Sequence, residues 1–500
     1  MTAFTPRTLN LLLAGYGTPA PEYEVTGLEM DSRRVSAGDL FLACRGQGLQ
    51  HGLMFLDQAL ERGASAVAWE PAPGWPRPQI DVPEVAVEKL SRRAGEIAAR
   101  FFDEPTRHMF TAGITGTDGK TSTAHLLAQA LERLGEPCAY VGTLGVGRLG
   151  NLSDATHTTP DPVSLQRHLA QLREQGVSAV AMEVSSHALD QDRIAGVHLD
   201  AAVLTNVTRD HLDYHGTVEN YAAAKRRLFE RVPASAAILN RDDEHGSLWL
   251  AQLGRDAITY GVEGAASAVQ RQVIARGLEL HADGLDFDVD TYRGSARISS
   301  RLLGRFNVYN LLAALAVLLI KNVPLADATQ ALGRCGTVPG RIEGFRGPAA
   351  RALVVVDYAH TPQALEQILR AVRAHTAGKL WCVFGCGGDR DRGKRPLMGA
   401  AAARHADEVI ITDDNPRSEK PQAIVSEIRA GLPAGRAARI IHDRAQAITT
   451  AVREAGVADI VVVAGKGHES EQVYGNERRH FSDREFVANL VGAALAGVSA

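Results

Sequence analysis

Continuous apolar runs of strand length alternate with helical patterns along most of this 500-residue chain. VSAVAME (177–183) and LDAAVLTN (199–206) are two such runs, set between helical stretches, and this alternation predicts a parallel sheet with helices on both faces. Beyond residue 350 the pattern repeats four times. ALVVVDYAHTP, KLWCVFGCGGDRDRGKRP, EVIITDDNPRSEKP and DIVVVAGKGHESEQ each run from an apolar strand into glycine-rich or charged residues. Ligands of open parallel sheets bind beyond the carboxyl ends of the strands, so these polar tails are expected on one edge of a doubly wound domain. Residues 236–301 have shorter runs with many turns, which predicts antiparallel strands, and 302–320 pass from a glycine loop into an apolar helix. Near the N-terminus, 31–46 read as turn, strand and turn, 55–70 as helix then strand, and the proline-rich 71–83 as a surface loop. GTVPGRIEGF (336–345) has the composition of a linker. Three units follow: 1–107, 108–337 and 338–500.

Composition narrows the classes. Five hundred residues exceed a single core, and 45% hydrophobic with 22% charged residues is ordinary for a globular protein. A net charge of −4 argues against a non-specific nucleic-acid binder, so any anionic ligand has to be held by local clusters. No apolar run approaches the ~20 residues that span a bilayer, and the N-terminus lacks the apolar core of a signal peptide, so no membrane partner is expected. Cys44, Cys138, Cys335, Cys382 and Cys386 form an odd, scattered set, expected as reduced thiols of a cytosolic enzyme.

The chemistry centres on TAGITGTDGKTST (111–123), an apolar run ending in glycines, a lysine and hydroxyl residues, followed by the helical pattern AHLLAQALERLG. Gly116 and Gly119 let backbone N–H groups turn toward a polyphosphate, Lys120 reaches its outer phosphates, and Thr121 offers a hydroxyl to Mg²⁺. The common spacing G-x-x-x-x-G-K-[ST] is not met, because position 114 is Ile. A bare glycine turn would explain the glycines, but not a Lys–Thr pair opening a helix. Glu183 and His211 each follow an apolar strand, and a carboxylate and an imidazole beside Thr121 suit Mg²⁺ next to a triphosphate. A lone histidine is more often structural, and spacing alone leaves His211 open. In VENYAAAKRRLFERV, Tyr221, Lys225, Leu228 and Val232 share one helical face. Lys225 thus lies on an apolar face, either snorkelling to its edge or aimed inward for chemistry, as a carbamate for example. Ser32 and Arg33 sit in a turn where a phosphate or sugar could dock, or where a cap or solvated turn would do as well.

GTDGKTS, THTTPDP, MEVSSHALDQDR, TRDHLDYHGT, YAAAKRRLF, FNVYN, PGRIE, DYAHTP and DNPR occur in this order, and together they closely resemble the Mur ligase family over nearly the whole chain. The resemblance implies an α/β protein of three domains: one for the UDP end, a central ATPase-type parallel sheet with the phosphate loop, and a C-terminal Rossmann-like domain. It implies a cytoplasmic ligase, read as a monomer, that joins an amino acid to a UDP-linked muropeptide through an acyl phosphate. ATP is its co-substrate, Mg²⁺ its metal and Lys225 its carboxylated lysine. The partners implied are UDP-N-acetylmuramoyl-L-alanyl-D-glutamate and meso-diaminopimelate, in peptidoglycan precursor synthesis. Carried over by motif, Gly116, Thr117, Gly119, Lys120, Thr121, Ser122, Asn310, Arg341, Asp357 and His360 bind ATP. Thr121, Glu183, His211 and Lys225 serve the metal, and Lys120, Glu183, His211 and Lys225 the chemistry. Thr158, Thr159, Ser185, Gln191 and Arg193 match the muropeptide site, with Ser32 near the UDP end. Arg390, Asp414, Asn415, Arg417, Gly465 and Glu469 match the amino-acid site.

Two residues depart from the family pattern: Asp118 stands where Asn is usual, and Glu471 replaces a frequent aromatic. Residues 47–49, where uridine contacts are expected, carry no recognisable pattern. Competing readings are an L-lysine-adding ligase of the same family, a folylpolyglutamate synthase-like ligase, and a switch that hydrolyses ATP without ligation.

Overall fold

The computed structural model describes residues 4–16, 19–46, 50–154, 157–254, 256–263, 270–349 and 351–493; positions 47–49 lie outside them. The chain divides into two compact units, Met1–Val273 with Ala313–Pro324, and Ile274–Leu312 with Leu325–Ala500. Among the described residues no helix is long and apolar enough to cross a membrane, and all five cysteines are free thiols.

The first unit holds two parallel sheets. The N-terminal one runs Gly27–Glu29, Asp39–Ala43, Ala66–Trp69 and Glu84–Ala86 in sequential order, all parallel. In the larger sheet Phe110–Thr115 lies at the centre, flanked on one side by Ala179–Glu183 and then Cys138–Gly142. On its other side come Ala201–Leu204, Ala237–Asn240 and Ile258–Val262. All six strands are parallel, so the carboxyl ends of the three central ones, Thr115, Glu183 and Leu204, share one edge. A hairpin of Gly145–Arg148 and Asn151–Ser153 closes the near side.

The second unit contains the antiparallel hairpin Gly284–Thr291 with Gly294–Ser300, and a six-stranded sheet. That sheet runs Glu343–Phe345, Leu353–Asp357, Ile460–Ala464, Leu380–Phe384, Glu408–Ile411 and Arg439–Ile440, parallel apart from the first strand. Leu380–Phe384 and Ile460–Ala464 are apolar at every position, and Leu353–Asp357 up to its last residue, because both faces are covered. Leu353, Val355, Cys382, Phe384 and Val462 join one buried cluster, while Val354, Val356, Trp381, Val383 and Val461 join the other. Each such side chain contributes roughly 1.5–3 kcal/mol of burial. The four polar tails read in the sequence do leave the carboxyl ends of four parallel strands.

Three expectations are corrected. Residues 237–262 continue the parallel sheet, around the helix Glu244–Leu253, instead of forming hairpins. The turn-like residues there serve the helix: the Asp243 carboxylate caps it by accepting from the Gly246 N–H (3.0 Å). The stretch 336–345 is not linker throughout, since Glu343–Phe345 is an edge strand. Glu343 reads as polar, but its carboxylate is buried against Arg484 (2.9 Å) and the Gly340 N–H (2.7 Å). The helix carrying Lys225 is Val218–Arg226, shorter than its pattern, and the chain continues as a 3-10 turn at Phe229–Arg231.

Candidate functional site

The phosphate loop leaves the Phe110–Thr115 strand and enters the helix Lys120–Arg133. Gly116 has φ +150°, and a Cβ there would lie 1.8 Å from the Thr205 hydroxyl, so only glycine fits beneath the neighbouring strand end. The Asp118 backbone is tied to that same strand end: its N–H donates to Asn206 Oδ1 (3.0 Å) and its carbonyl accepts from the Thr205 hydroxyl (2.6 Å). The Asp118 side chain is exposed, which leaves its carboxylate in water. Thr117 accepts from the Thr208 N–H (2.9 Å) and sits 3.2 Å from the Tyr221 hydroxyl, and Thr121 and Ser122 open the helix.

Two cations converge on one carbonyl of this loop. Lys120 Nζ donates to the Gly116 and Thr117 carbonyls (2.9 Å each), and Lys225 Nζ donates to Gly116 O (2.7 Å). Lys225 is 1% exposed, with its amine 4.2 Å from the Tyr221 ring centre. Burial and, secondly, the charge of Lys120 push the Lys225 amine down to about 6. Burial also lowers Lys120, against the opposing pull of Glu183.

Glu183 ends the neighbouring strand with its side chain fully buried. It accepts from Thr121 Oγ1 (2.9 Å), the Tyr140 hydroxyl, the Thr143 N–H (2.9 Å) and Thr143 Oγ1 (3.3 Å), and among the described residues it has no cation within 4 Å. An oxygen-only set of carboxylate and hydroxyl next to a phosphate loop fits Mg²⁺, which keeps several waters and binds through one or two carboxylates plus phosphates. Among the described residues no group of three His, Cys, Asp or Glu side chains forms a metal cage. His211 is half exposed beside Asp210 (3.5 Å), and its ring meets those of His187 (4.8 Å) and Tyr221 (6.0 Å). Tyr140 and Thr143 were missed in the sequence, although a tyrosine within a buried strand needs a partner for its hydroxyl. Tyr140→Phe removes a hydrogen bond to a buried carboxylate and is expected to lower unfolding stability by about 1.5–3 kcal/mol. An unchanged denaturation midpoint would show that Thr121 and Thr143 satisfy Glu183 without it.

Thr158, Thr159, Ser185, Gln191 and Arg193 gather next to Glu183. Thr158 meets Thr143 (3.1 Å), Thr159 Oγ1 donates to Glu183 O (3.0 Å), and the Ser185 N–H donates to Thr159 (3.2 Å). Arg193 donates to Thr159 O (3.0 Å) and Gln191 Oε1 (2.7 Å), and has no carboxylate within 4 Å among the described residues. Ser32 does not join them. It lies in the turn after the Gly27–Glu29 strand, where it is buried and its hydroxyl donates to Gln58 (2.7 Å).

In the second unit, Arg341, Asp357 and His360 lie at or near the end of the Leu353–Asp357 strand. Asp357 accepts from the Ile342 (2.8 Å) and Ala359 (2.7 Å) N–H groups, and burial raises its carboxyl against them. The Arg341 guanidinium stacks over the Tyr358 ring (4.9 Å), and His360 Nδ1 is 2.9 Å from Tyr358 O. Asn310 lies on the helix Phe306–Ile320 and donates to Asn307 (2.9 Å).

The amino-acid candidates cluster at the next strand ends of the same sheet. Arg417 donates to Gly388 O (2.8 Å) and has no carboxylate within 4 Å among the described residues. A Cβ on Gly387 would lie 2.8 Å from the Arg417 guanidinium and 3.7 Å from the exposed Arg390, so both arginines line this glycine. Asn415 donates to Glu469 (3.1 Å) and accepts from the Val473 N–H (3.0 Å). Gly465 faces Asp414, whose Oδ2 would be 2.7 Å from a Cβ there. Lys466, which the sequence reading passed over, is fully buried and donates to Asn415 (3.4 Å), Glu469 (3.3 Å) and Glu471 O (2.5 Å). Only the backbone of Glu471 serves that contact; its side chain pairs outward with Arg478 (3.0 Å).

Family models match in three consecutive stretches: "Mur ligase family, catalytic domain" over 24–102, "Mur ligase middle domain" over 114–318 and "Mur ligase, glutamate ligase domain" over 340–467. A protein of Alkalilimnicola ehrlichii, named UDP-N-acetylmuramoyl-L-alanyl-D-glutamate–2,6-diaminopimelate ligase, is 50% identical over 486 residues, 95% of this chain and 96% of its own. One of the same name from Coxiella burnetii is 45% identical, covering 92% and 94%. A solved structure of a protein so named superposes with a TM-score of 0.78 at 36% identity, covering 97% and 99%. A folylpolyglutamate synthase of Mycobacterium tuberculosis, at 19% identity, TM-score 0.54 and coverage of 75% and 92%, shares the fold alone. Identity near one half, sustained across almost the full length of both partners, makes this chain a member of the Mur ligase family.

Proposed function

We propose that this chain is an ATP-dependent ligase adding meso-2,6-diaminopimelate to UDP-N-acetylmuramoyl-L-alanyl-D-glutamate in peptidoglycan precursor synthesis, in the cytoplasm and as a monomer. The observation that carries the reaction class is Glu183, a buried carboxylate that accepts from the phosphate-loop Thr121 and has no cation within 4 Å among the described residues. The curated relatives named for this reaction support the choice of substrates. Segment boundaries at 107/108 and 337/338 belong to the same reading, beside the three family stretches.

A carboxylate is a poor acylating agent until one oxygen becomes part of a leaving group. The muropeptide carboxylate attacks the γ-phosphorus of ATP, the bond to the β,γ-bridging oxygen breaks, and ADP leaves. The diaminopimelate amine then attacks the acyl carbon, phosphate departs with the electron pair of the C–O bond, and the amine loses a proton. Lys120 and the loop N–H groups hold the phosphates, while Arg193 and its neighbours hold the muropeptide. Thr121, Glu183, His211 and the carbamate of Lys225 would hold Mg²⁺, which neutralises charge on the phosphates when bound. Lys225 gains that carbamate when its neutral amine adds to CO₂, forming an N–C bond and releasing one proton. Asn310, Arg341, Asp357 and His360 complete nucleotide binding, and Arg390, Asp414, Asn415, Arg417, Gly465 and Glu469 select the amino acid.

The test is ADP release by the purified protein with UDP-muramoyl dipeptide, ATP and a panel of amino acids. Release that depends on the dipeptide and on diaminopimelate together is expected. Release without any amino acid would instead point to an ATP-hydrolysing switch.

A further inference from the structure

The cationic residues around the amino-acid loops fall into two kinds. Arg390 and Arg417 have no carboxylate within 4 Å among the described residues, whereas Arg392 and Arg395 pair with acids. Arg395, on the helix Lys394–His405, has a completely buried side chain and is an odd choice for a structural position, since burying a guanidinium is costly. It grips Glu419 in a fork, Nη1 to Oε2 (2.9 Å) and Nη2 to Oε1 (2.7 Å). It also donates to Glu427 (2.7 Å) and to the Gly387 carbonyl (3.1 Å).

Both of the loop contacts lead to Arg417. Glu419 lies two residues beyond it and also accepts from the Asp389 N–H (2.7 Å). Gly387 precedes the carbonyl of Gly388 that receives the Arg417 guanidinium, and the Gly388 N–H donates to Asn415 O (2.9 Å). Asp389 in turn accepts from the Ser418 hydroxyl (2.6 Å) and N–H (3.1 Å). Arg417 itself has φ +51°, a left-handed conformation that is unfavourable for a residue with a Cβ and persists only where its surroundings over-determine it. Its backbone is held on the other side by Val473 O (2.9 Å) and the Gly475 N–H (2.7 Å).

We propose that the buried Arg395–Glu419 pair is a positioning device that fixes the Arg417 guanidinium for the distal carboxylate of the incoming amino acid. This rests on the diaminopimelate reading above. Arg395 and Glu419 touch no substrate; they hold the two loops whose relative placement aims Arg417. Glu427 provides the internal control. It is the second carboxylate on the same buried arginine, but it lies on the helix Pro421–Arg429 and makes no bond to the Gly387–Asp389 or Asn415–Glu419 loops among the described residues.

The experiment compares kcat and KM for meso-diaminopimelate and for L-lysine, and KM for ATP, in the unmodified full-length protein and in Glu419→Gln, Glu427→Gln and Arg417→Ala, with Tm recorded for each. Glu419→Gln is expected to raise KM for diaminopimelate about ten- to a hundredfold, as for other sub-ångström to 1 Å misplacements, and to shrink the preference over lysine by the same factor. KM for ATP should stay put, and Glu427→Gln should keep the preference whatever its Tm. If Glu419→Gln does not fold, Glu419→Asp keeps the charge, withdraws it by one methylene and should show part of the same loss. An unaltered preference in the folded Glu419 variant, or an equal loss in Glu427→Gln, would overturn the proposal and leave Arg395 a structural tie. An unaltered preference in Arg417→Ala would overturn the underlying assignment of Arg417, and the proposal with it.

Discussion

Lys225→Ala is expected to lower ligation by about a thousandfold or more, the scale on which loss of a preorganised charged group at a reacting phosphate is felt. The side chain is buried on a helix face with its amine 2.7 Å from the phosphate-loop carbonyl that Lys120 also binds. Two ammonium groups on one carbonyl in a dry site repel each other. Burial first, and this repulsion second, bring Lys225 from 10.5 down to about 6. The sign favours carboxylation: the amine is mostly neutral at pH 7, CO₂ reacts with the neutral form, and the product places an anion beside the Lys120 cation. Uptake of CO₂ should therefore decline as the pH falls through about 6. Lys225→Arg should do no better than Ala, because a guanidinium does not form the carbamate. The fold should survive either change, since among the described residues Lys225 pairs with no buried acid whose charge would be stranded. Two measurements check this: ADP released per enzyme, and a carbamate carbon signal from ¹³C-bicarbonate that is present in the unmodified protein and absent in Lys225→Ala. Near-normal turnover in either variant would refute the carbamate role.

The reach of the sequence reading is explained by the same physics. Strands buried on both faces read as near-continuous apolar runs, so Leu353–Val356, Leu380–Phe384 and Ile460–Ala464 stood out as runs of four or five residues without any tertiary knowledge. The candidate site was legible where a residue type contradicts its local setting, as Lys225 does on an apolar face. Its pattern survived even though the helix stops at Arg226, because the following turn keeps Leu228 and Phe229 buried. Long-range partners carry no local signal, and there the reading stopped. Glu343 looks like linker until Arg484, 141 positions away, supplies its counter-charge. Besides Thr121, the donors to Glu183 come from Tyr140 and Thr143, 43 and 40 positions earlier. Arg395 and the ion pair Arg444–Asp483, which no sequence pattern singled out, are buried. His211 shows the converse. Its motif was recognisable, yet its ring packs on His187 and Tyr221, and its place beside the metal rests on the family resemblance.

Discrimination between meso-diaminopimelate and L-lysine should exceed about a hundredfold in kcat/KM and largely vanish in Arg417→Ala. The two amino acids differ by one carboxylate, at the far end beside the distal amine. Arg417 follows the strand Glu408–Ile411, is partly buried, and among the described residues makes one side-chain hydrogen bond, to Gly388 O, which leaves most of its N–H groups for a ligand. A guanidinium can hold a carboxylate through two parallel hydrogen bonds, a geometry that an ammonium does not reproduce. With lysine bound, that guanidinium would be desolvated and unpaired. Breaking a buried ion pair in this way costs roughly 3–5 kcal/mol, equivalent to a preference of about a hundred- to several-thousand-fold. Arg417→Ala removes the cation, so diaminopimelate loses its partner while lysine loses nothing. The ratio should fall toward unity mainly through KM for diaminopimelate, and Arg417→Lys should recover only part of it. Steady-state ADP release with each amino acid at fixed ATP and muropeptide measures the ratio directly. Comparable kcat/KM for the two amino acids in the unmodified protein would show that Arg417 does not read the distal carboxylate.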